Sequence, residues 1–485
     1  MQPENLKLGG GLSESSVHPL VLAALIIAVL LILFLSRKNV IVTVLAMTFL
    51  VPLGQQFLIG GVHVLVLRIV ILAALARAIM SMSSSKTRAF PGGFGTVDWV
   101  YMLWIFFHIV AFLFLFNFAS GAIVNQVGFL WDMVGGFLVM RFLIQDEDDI
   151  DRVIKTFAFL AAILAICMLN ERYRMQNLFA ILNGSTTPPE IRDGHVRAQA
   201  AFSHPLLAGT FGATLLPLFF LYWHRQKSRA VAVLGILGAT VMTICASSST
   251  PFLAWGAGIG ATFCFPFRRY TRMFRYGLLI ALIALNTVMQ APVWFLIGHI
   301  ALFGSSSSDH RAYLVDTFIR HFSDWWLFGT NAAGTWGWDM WDTSNQYVAE
   351  GESGGLAAFV LFILLISYSF GKLGRARKAV EGDRNREWYF WLIGCALFSH
   401  VVGFFGISYF DQTRMSWFAL LVIILAATAP VLAADAKPVE LQPDGTPLVA
   451  APKEEPHPWL SGPRTAPAKK RLLGPATQEF KPRRS

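Results

Sequence analysis

The residues best suited to chemistry in this chain are cations and carboxylates gathered between long apolar runs. The stretch Ile191 to Phe220, IRDGHVRAQAAFSHPLLAGTFGATLLPLFF, carries Arg192, His195, Arg197 and His204 just before or at the mouth of an apolar segment. A second stretch, Ser305 to Gly355, holds Asp309, His310 and Arg311 near its start and supplies Arg320 and His321 further on. A guanidinium is planar, permanently charged and matched in shape to phosphate or pyrophosphate. Arg197 and Arg311, with His204 beside them, are therefore candidate ligands of a phosphate-bearing substrate. The competing reading pairs these arginines with acids such as Asp193, Asp309 and Asp316, or with lipid head groups.

The same stretch closes with Asp342 to Leu356, DTSNQYVAEGESGGL, where polar groups arrive just before a glycine pair and a new apolar run. If Asn345 to Glu352 is helical, Asn345, Ala349 and Glu352 share one face, and Gln346 and Glu350 share another. Glu350, Asp342 and His310 are the candidate proton acceptors, and Asn345 a candidate substrate contact. The competing reading is a re-entrant or interfacial helix with a capped end. Trp325, Trp326, Trp336, Trp338 and Trp341 serve either as interface anchors or as platforms for sugar rings, with Trp338 the candidate contact. Arg68 lies inside an apolar run, where a charge is expensive and a functional candidate by default; the alternative is snorkelling or pairing with a carbonyl. His108, Asn117 and His400 read as helix–helix contacts. Ser247 to Pro251 reads as a tight turn between two spans. No HExxH, motif-spaced carboxylate pair or phosphate-binding glycine loop is present, so neither a metal nor a cofactor is expected.

What positions these groups is a membrane scaffold. Of 485 residues 55% are hydrophobic and only 14% charged, with 41 Phe, against about 25% charged in soluble proteins. The expected class is all-α and polytopic, with about 12–13 transmembrane helices of ~20 residues each. The apolar stretches run approximately over 18–36, 39–53, 58–79, 98–117, 125–144, 153–170, 204–223, 230–247, 251–267, 274–291, 355–371, 388–408 and 413–433. Alternate loops are basic: Arg37 and Lys38; Arg77, Lys86 and Arg88; Arg152 and Lys155; Arg225, Lys227 and Arg229; Arg268 to Arg275; Lys372 to Lys378. By the positive-inside rule those loops are cytoplasmic. The N-terminus is then outside, the C-terminus inside, and the large loop 292–354, carrying short helices, faces outward. That loop is too long to be a mere connection.

The net charge of +10 is explained by these loops and by membrane lipids, not by nucleic acid. Cys167, Cys245, Cys264 and Cys395 lie in apolar runs and read as small core residues. Val21 to Leu35 reads as a retained first span, because no basic region and cleavage site precede it. The run Gln145 to Asp149 reads as a solvated helix start, where acids favour the positive end of the dipole. Residues 1–434 form the expected membrane domain, and 435–485 a disordered, Pro-rich, basic cytoplasmic tail.

The order of motifs carries a resemblance. RxQAxFxHPLxxG (Arg197 to Gly209) is followed by an SSST turn, then by a loop with Arg311, WWLFG (Trp325 to Gly329) and TSNQYVxEGxxGGL (Thr343 to Leu356). Over about Arg192 to Leu365 this resembles the O-antigen ligase and O-antigen polymerase superfamily of bacterial inner-membrane glycosyltransferases. The resemblance implies a donor glycan on undecaprenyl diphosphate at the periplasmic face, with no nucleotide sugar or metal. It implies a glycan or lipid A-core acceptor, and other polysaccharide assembly proteins as partners. Arg197 and Arg311 match the arginines that hold the diphosphate. The family's loop His corresponds here to Ser344, so the base is Glu350, Asp342 or His310, or the reaction needs none, or the chain is not catalytic in the family's way. Two other classes remain open: a transporter or flippase of lipid-linked precursors, with polar groups on broken helices at mid-membrane, and a non-catalytic scaffold.

Overall fold

Hydropathy of this kind leaves the backbone no partner but itself, and helices are what result. The computed structural model describes residues 16–84, 90, 92–182, 189–192, 194–299 and 306–435. The tail from 436 and Asp193 lie outside the described residues. In chain order the elements are α1 (Pro19–Phe34), α2 (Arg37–Leu50), β1 (Gln56–Ile59), β2 (Val62–Leu65), α3 (Val66–Ser84), α4 (Thr96–Leu115), α5 (Ser120–Leu130), α6 (Gly136–Leu143) and α7 (Glu147–Arg174). They continue with β3 (Glu190–Arg192), β4 (His195–Arg197), α8 (Pro205–His224), α9 (Arg229–Cys245), α10 (Ser249–Phe263), α11 (Thr271–Val288), α12 (Ser306–Arg320), α13 (Phe322–Trp325), α14 (Gln346–Ala379), α15 (Arg384–Gly403) and α16 (Thr413–Asp435). A π-helical turn, Trp131–Gly135, joins α5 to α6.

Each of the thirteen apolar stretches falls largely on a helix. Among the described residues, six helices are long and apolar enough to cross a membrane: α4, α5 with α6, α7, α8, α14 and α16; α1 and α9 are shorter apolar helices. At 14 residues α2 is about 21 Å long, less than the ~30 Å of a hydrocarbon core. The stretch expected to span 58–79 differs most. Its first part is an antiparallel hairpin, β1–β2, turning at Gly60 (φ 59°) and Gly61 (φ 81°). Two consecutive positive φ values are what a tight two-residue hairpin requires and glycine provides, so the helix starts only at Val66.

The bundle is centred on α8, which is buried from Pro205 to Phe219 and packs against α7, α9, α10 and α15. Small residues permit the approach: a Cβ on Gly212 would sit 2.8 Å from the Ala239 carbonyl, and one on Gly238 equally close to the Ala161 backbone. By contrast α11 buries none of its residues.

Ion pairs collect the basic loops at one end. Arg37 and Arg152 both bind Asp149 (2.7 and 2.9 Å), Arg225 and Lys227 bind Asp151 (2.9 and 3.1 Å), and Arg386 reaches Glu147 (3.7 Å). Arg268 and Arg377 meet on Glu387, and Arg77 reaches the Leu35 carbonyl. The acidic run is a helix start, as expected, with Asp146 and Asp148 exposed, but its last residue is drawn into the fold. Asp146 does cap α7 through the Asp149 amide (2.8 Å), but Asp149 is buried and spent on arginines. At the other end lie Asn177 on the Ala200 carbonyl (2.9 Å), Ala198 on Cys245 (3.0 Å), Ser203 on Asp411 and Gln346 on Phe404 (2.8 Å). Of the cysteines, Cys245 and Cys395 are buried as expected, whereas Cys264, at the end of α10, is exposed.

Candidate functional site

Arg197 ends a three-residue strand whose register sets it opposite Glu190, with Gly194 (φ 76°) in the turn. The pairing is realised as an ion pair: Arg197 Nη1 donates to both Glu190 oxygens at 2.7 and 2.8 Å. The acid is thus Glu190, where sequence had pointed to Asp193, Asp309 or Asp316; Asp316 instead takes Arg320 (2.7 Å). The hairpin is tied to the end of α9 by the Ala198 amide on the Cys245 carbonyl and by Ser247 Oγ on the Val196 carbonyl (3.2 Å). The Ser247 to Pro251 segment therefore does more than turn: Ser247 also accepts from Arg172 (2.7 Å).

Arg311 reaches the same place from α12. It is 6% exposed, and among the described residues it makes no ion pair within 4 Å, with its Nε buried and unpartnered. Burial pushes its guanidinium down to about 10, helped by the positive fields of Arg192 and Arg197 and opposed by Asp342. Asp342 is itself pushed up, by burial first, with His310, Arg311 and Arg192 pulling the other way. His310 Nε2 lies 3.1 Å from the Asp342 carbonyl oxygen, which ties α12 to the segment before α14. His204 caps α8, its Nδ1 accepting from the Leu206 amide at 3.1 Å. Burial, with Arg197 nearby, holds that imidazole down to about 4. It is neutral at pH 7, and with Nδ1 accepting, the proton sits on Nε2 as a donor. Sequence-predicted Arg197, Arg311, His204, His310 and Asp342 therefore form one cluster, joined by Arg192.

Glu350 belongs to a second, adjoining feature, a cavity of about 230 Å³ between α4, α5, α14 and α16. The predicted sharing of a face is realised: Gln346 Nε2 donates to Glu350 Oε1 at 2.6 Å, and Trp104 Nε1 donates to Oε2 at 2.7 Å. His108 Nδ1 stands 3.9 Å from the same carboxylate, and Arg414 also lines the cavity, its Nε on the Tyr409 carbonyl (2.7 Å). His108, read from sequence as a satisfied helix contact, has no hydrogen-bond partner at Nδ1 among the described residues; His400 is the satisfied one, on Tyr409 (2.8 Å). Arg414 was missed altogether, since it follows a polar stretch at the start of an apolar run and no motif marks it.

The segment 404–412 joins the two features. Ser203, next to His204, donates to Asp411 (2.9 Å), while Tyr409 and Phe410 line the Glu350 cavity. The helix carrying Glu350 is held by a kink. Gly355 has φ 67° and ψ −170° inside α14, and the Trp325 to Gly329 segment docks there, with Thr330 N on the Glu352 carbonyl (2.7 Å) and Leu356 N on Trp326 (2.8 Å). A side chain on Gly329 would run into the Glu352 carbonyl, and a Cβ on Gly355 would meet the Leu327 carbonyl at 2.5 Å.

The remaining candidates lie elsewhere or are otherwise engaged. Asn345 is buried and caps α14, accepting from Tyr347 N and Val348 N (2.9 and 3.3 Å). Trp338 is 88% exposed, whereas Trp325 is buried, stacked on Phe318 (4.0 Å). Arg68 neither snorkels nor takes only a carbonyl: it makes a two-pronged pair with Asp132 (2.9 and 2.8 Å) on the π-helical turn and lines a separate apolar cavity. Among the described residues no cluster of three His, Cys, Asp or Glu could hold a metal ion. No protein-family model matches the chain, and neither curated proteins nor solved structures yield a match.

Proposed function

We propose that the protein transfers a glycan from undecaprenyl diphosphate to an acceptor hydroxyl on the periplasmic face, as an O-antigen ligase or a polysaccharide polymerase does, in the bacterial inner membrane. The observation that carries this reading is Arg311: a buried guanidinium with no carboxylate in contact among the described residues, in the field of two further arginines. Such a group is poorly solvated until an anion arrives, and a diphosphate is the anion best matched to several guanidiniums. The motif order from Arg197 to Leu356 supports the same donor. Diphosphate leaves readily when its developing charge is stabilised, which fixed arginines do without reorganising. His204 Nε2–H adds a neutral donor. Glu350, Asp342 or His310 takes the acceptor proton.

The test is transfer by purified protein in nanodiscs with a lipid extract rich in undecaprenyl diphosphate glycans, with EDTA and without ATP. Released undecaprenyl diphosphate together with a longer or newly attached glycan is expected, and the size ladder separates polymerase from ligase. A second reading, a flippase of the same precursors, is favoured by one observation: the Glu350 cavity puts Glu350, His108 and Arg414 among helices that can span the membrane. Movement of lipid-linked glycan across a vesicle membrane without transfer would replace the first reading by the second.

A further inference from the structure

We propose that the cavity around Glu350 is the acceptor subsite, taking a neutral sugar ring whose attacking hydroxyl gives its proton to Glu350 while Gln126 and Arg414 hold the rest of the ring. This rests on the transferase reading and selects one base among its three candidates.

The cavity is built for a polar, uncharged guest. Its walls include the rings of Trp104, Phe129 and Trp417, and its polar groups come from four different helices. Gln126 is 4% exposed and its side-chain oxygen has no partner among the described residues; the same holds for His108 Nδ1. Buried polar atoms left unpaired cost free energy that a ligand's hydroxyl groups would recover. Glu350 is held by one donor on each oxygen, and each oxygen keeps a second acceptor direction for a hydroxyl. Arg414 is fixed through Nε on a backbone carbonyl, and it feels the carboxylates of Asp132, Glu350 and Asp411 without an ion pair within 4 Å to any of them. Its terminal nitrogens can therefore donate to ring oxygens.

Charge decides which half of the reaction the cavity serves. Arg414 in the cavity is offset by Glu350, whereas the guanidiniums of Arg192, Arg197 and Arg311 lie within one another's fields, so a diphosphate is drawn to the cluster. The 404–412 segment borders both, through Asp411 on Ser203 and through Tyr409 and Phe410, so a donor sugar lying along it has its leaving group toward the arginines and an acceptor hydroxyl toward Glu350. In the step, a lone pair of the acceptor oxygen forms a bond to the anomeric carbon. The bond from that carbon to the diphosphate oxygen breaks, with its electrons staying on the diphosphate. The acceptor's proton passes to Glu350. Asp342 is less suited, because it lies in the field of Arg311 and Arg192, beside the leaving group.

The experiment compares wild type with Glu350→Gln, Ala349→Phe and Gln126→Leu in nanodiscs. Binding of undecaprenyl diphosphate and glycan transfer are measured separately, with lipid A-core oligosaccharide as added acceptor beside the glycans of the extract. Glu350→Gln should bind undecaprenyl diphosphate like wild type and transfer about 100-fold more slowly, the usual size of a general-base contribution. Ala349→Phe fills the cavity and leaves the carboxylate in place; it should block transfer with donor binding intact. Gln126→Leu should raise the acceptor KM several-fold and leave kcat unchanged. Wild-type transfer by Glu350→Gln, or an unchanged acceptor KM in Gln126→Leu, overturns the acceptor assignment alone. A wild-type protein that binds the donor and transfers nothing overturns the transferase reading itself.

Discussion

The proposed donor site turns on a single residue, Arg311. Arg311→Ala should lower kcat/KM for transfer by about 100-fold or more, the cost of removing one preorganised donor from a developing anion. Arg311→Lys should recover little, because an ammonium lacks the planar fork that meets two phosphate oxygens. A pH series gives a sharper check. Because burial and neighbouring arginines hold the Arg311 guanidinium down to about 10, its charge is lost at lower pH than for a free arginine. Affinity for undecaprenyl diphosphate should stay level across neutral pH, then fall as pH rises through that value, with a proton taken up on binding above it. The His204 imidazole, held down to about 4, contributes no charge near neutrality and so adds no pH dependence of its own between about pH 6 and about pH 8. These residues were legible in the sequence because a guanidinium in a loop that the charge pattern reads as external needs a reason. His108 and Arg414 were not, because each stands alone in its segment, and only packing brings them to Glu350.

At the scale of elements, the kink in α14 and the glycine of the docking loop make a paired prediction. Gly329→Ala meets both a left-handed φ of 80° and the Glu352 carbonyl, whereas Gly194→Ala, at φ 76°, meets open space. The first should lower thermal stability in detergent by well over the ~1–2 kcal/mol that left-handed backbone alone costs, the second by about that amount. Equal shifts in melting temperature would mean that the loop does not pack on the kink. The buried pair Arg141–Asp98 (2.9 Å; 3% and 0% exposed side chains) is a second case. Arg141→Ala leaves a buried carboxylate without its cation and should cost about 3–5 kcal/mol, whereas an exposed pair such as Arg269–Glu381 should cost less than ~1 kcal/mol. Helix identities were readable from apolar length, but the β1–β2 hairpin was not, since Gln56 to Leu65 is apolar enough to pass for the start of a span.

For the whole molecule the decisive question is which end faces which compartment. In a Cys264→Ser background, chosen because Cys264 is exposed, Trp338→Cys should react with a membrane-impermeant maleimide in intact spheroplasts. Lys378→Cys should react only after permeabilisation. The reverse pattern would put the arginine cluster in the cytoplasm and remove the lipid-linked donor. The ion pairs that gather Arg37, Arg152, Arg225 and Arg268 at one end give this experiment its basis.

Sequence alone determined the composition of the scaffold, the alternation of basic loops, the candidacy of Arg197 and Arg311, and the shared face of Gln346 and Glu350. All of these follow from local rules, because apolar length, loop charge and helical spacing need no knowledge of what lies across the fold. Tertiary structure alone decided that Glu190 pairs with Arg197, that Arg311 is buried with no carboxylate in contact among the described residues, and that Asp149 is drawn into an ion-pair network. It also decided that His108, Gln126 and Arg414 line one cavity with Glu350. Those facts depend on residues up to a few hundred positions apart, such as Trp104 and Glu350, meeting at hydrogen-bond distance. No periodicity encodes such a meeting; it is settled by which helix faces fit together once the lipid-facing surfaces are taken.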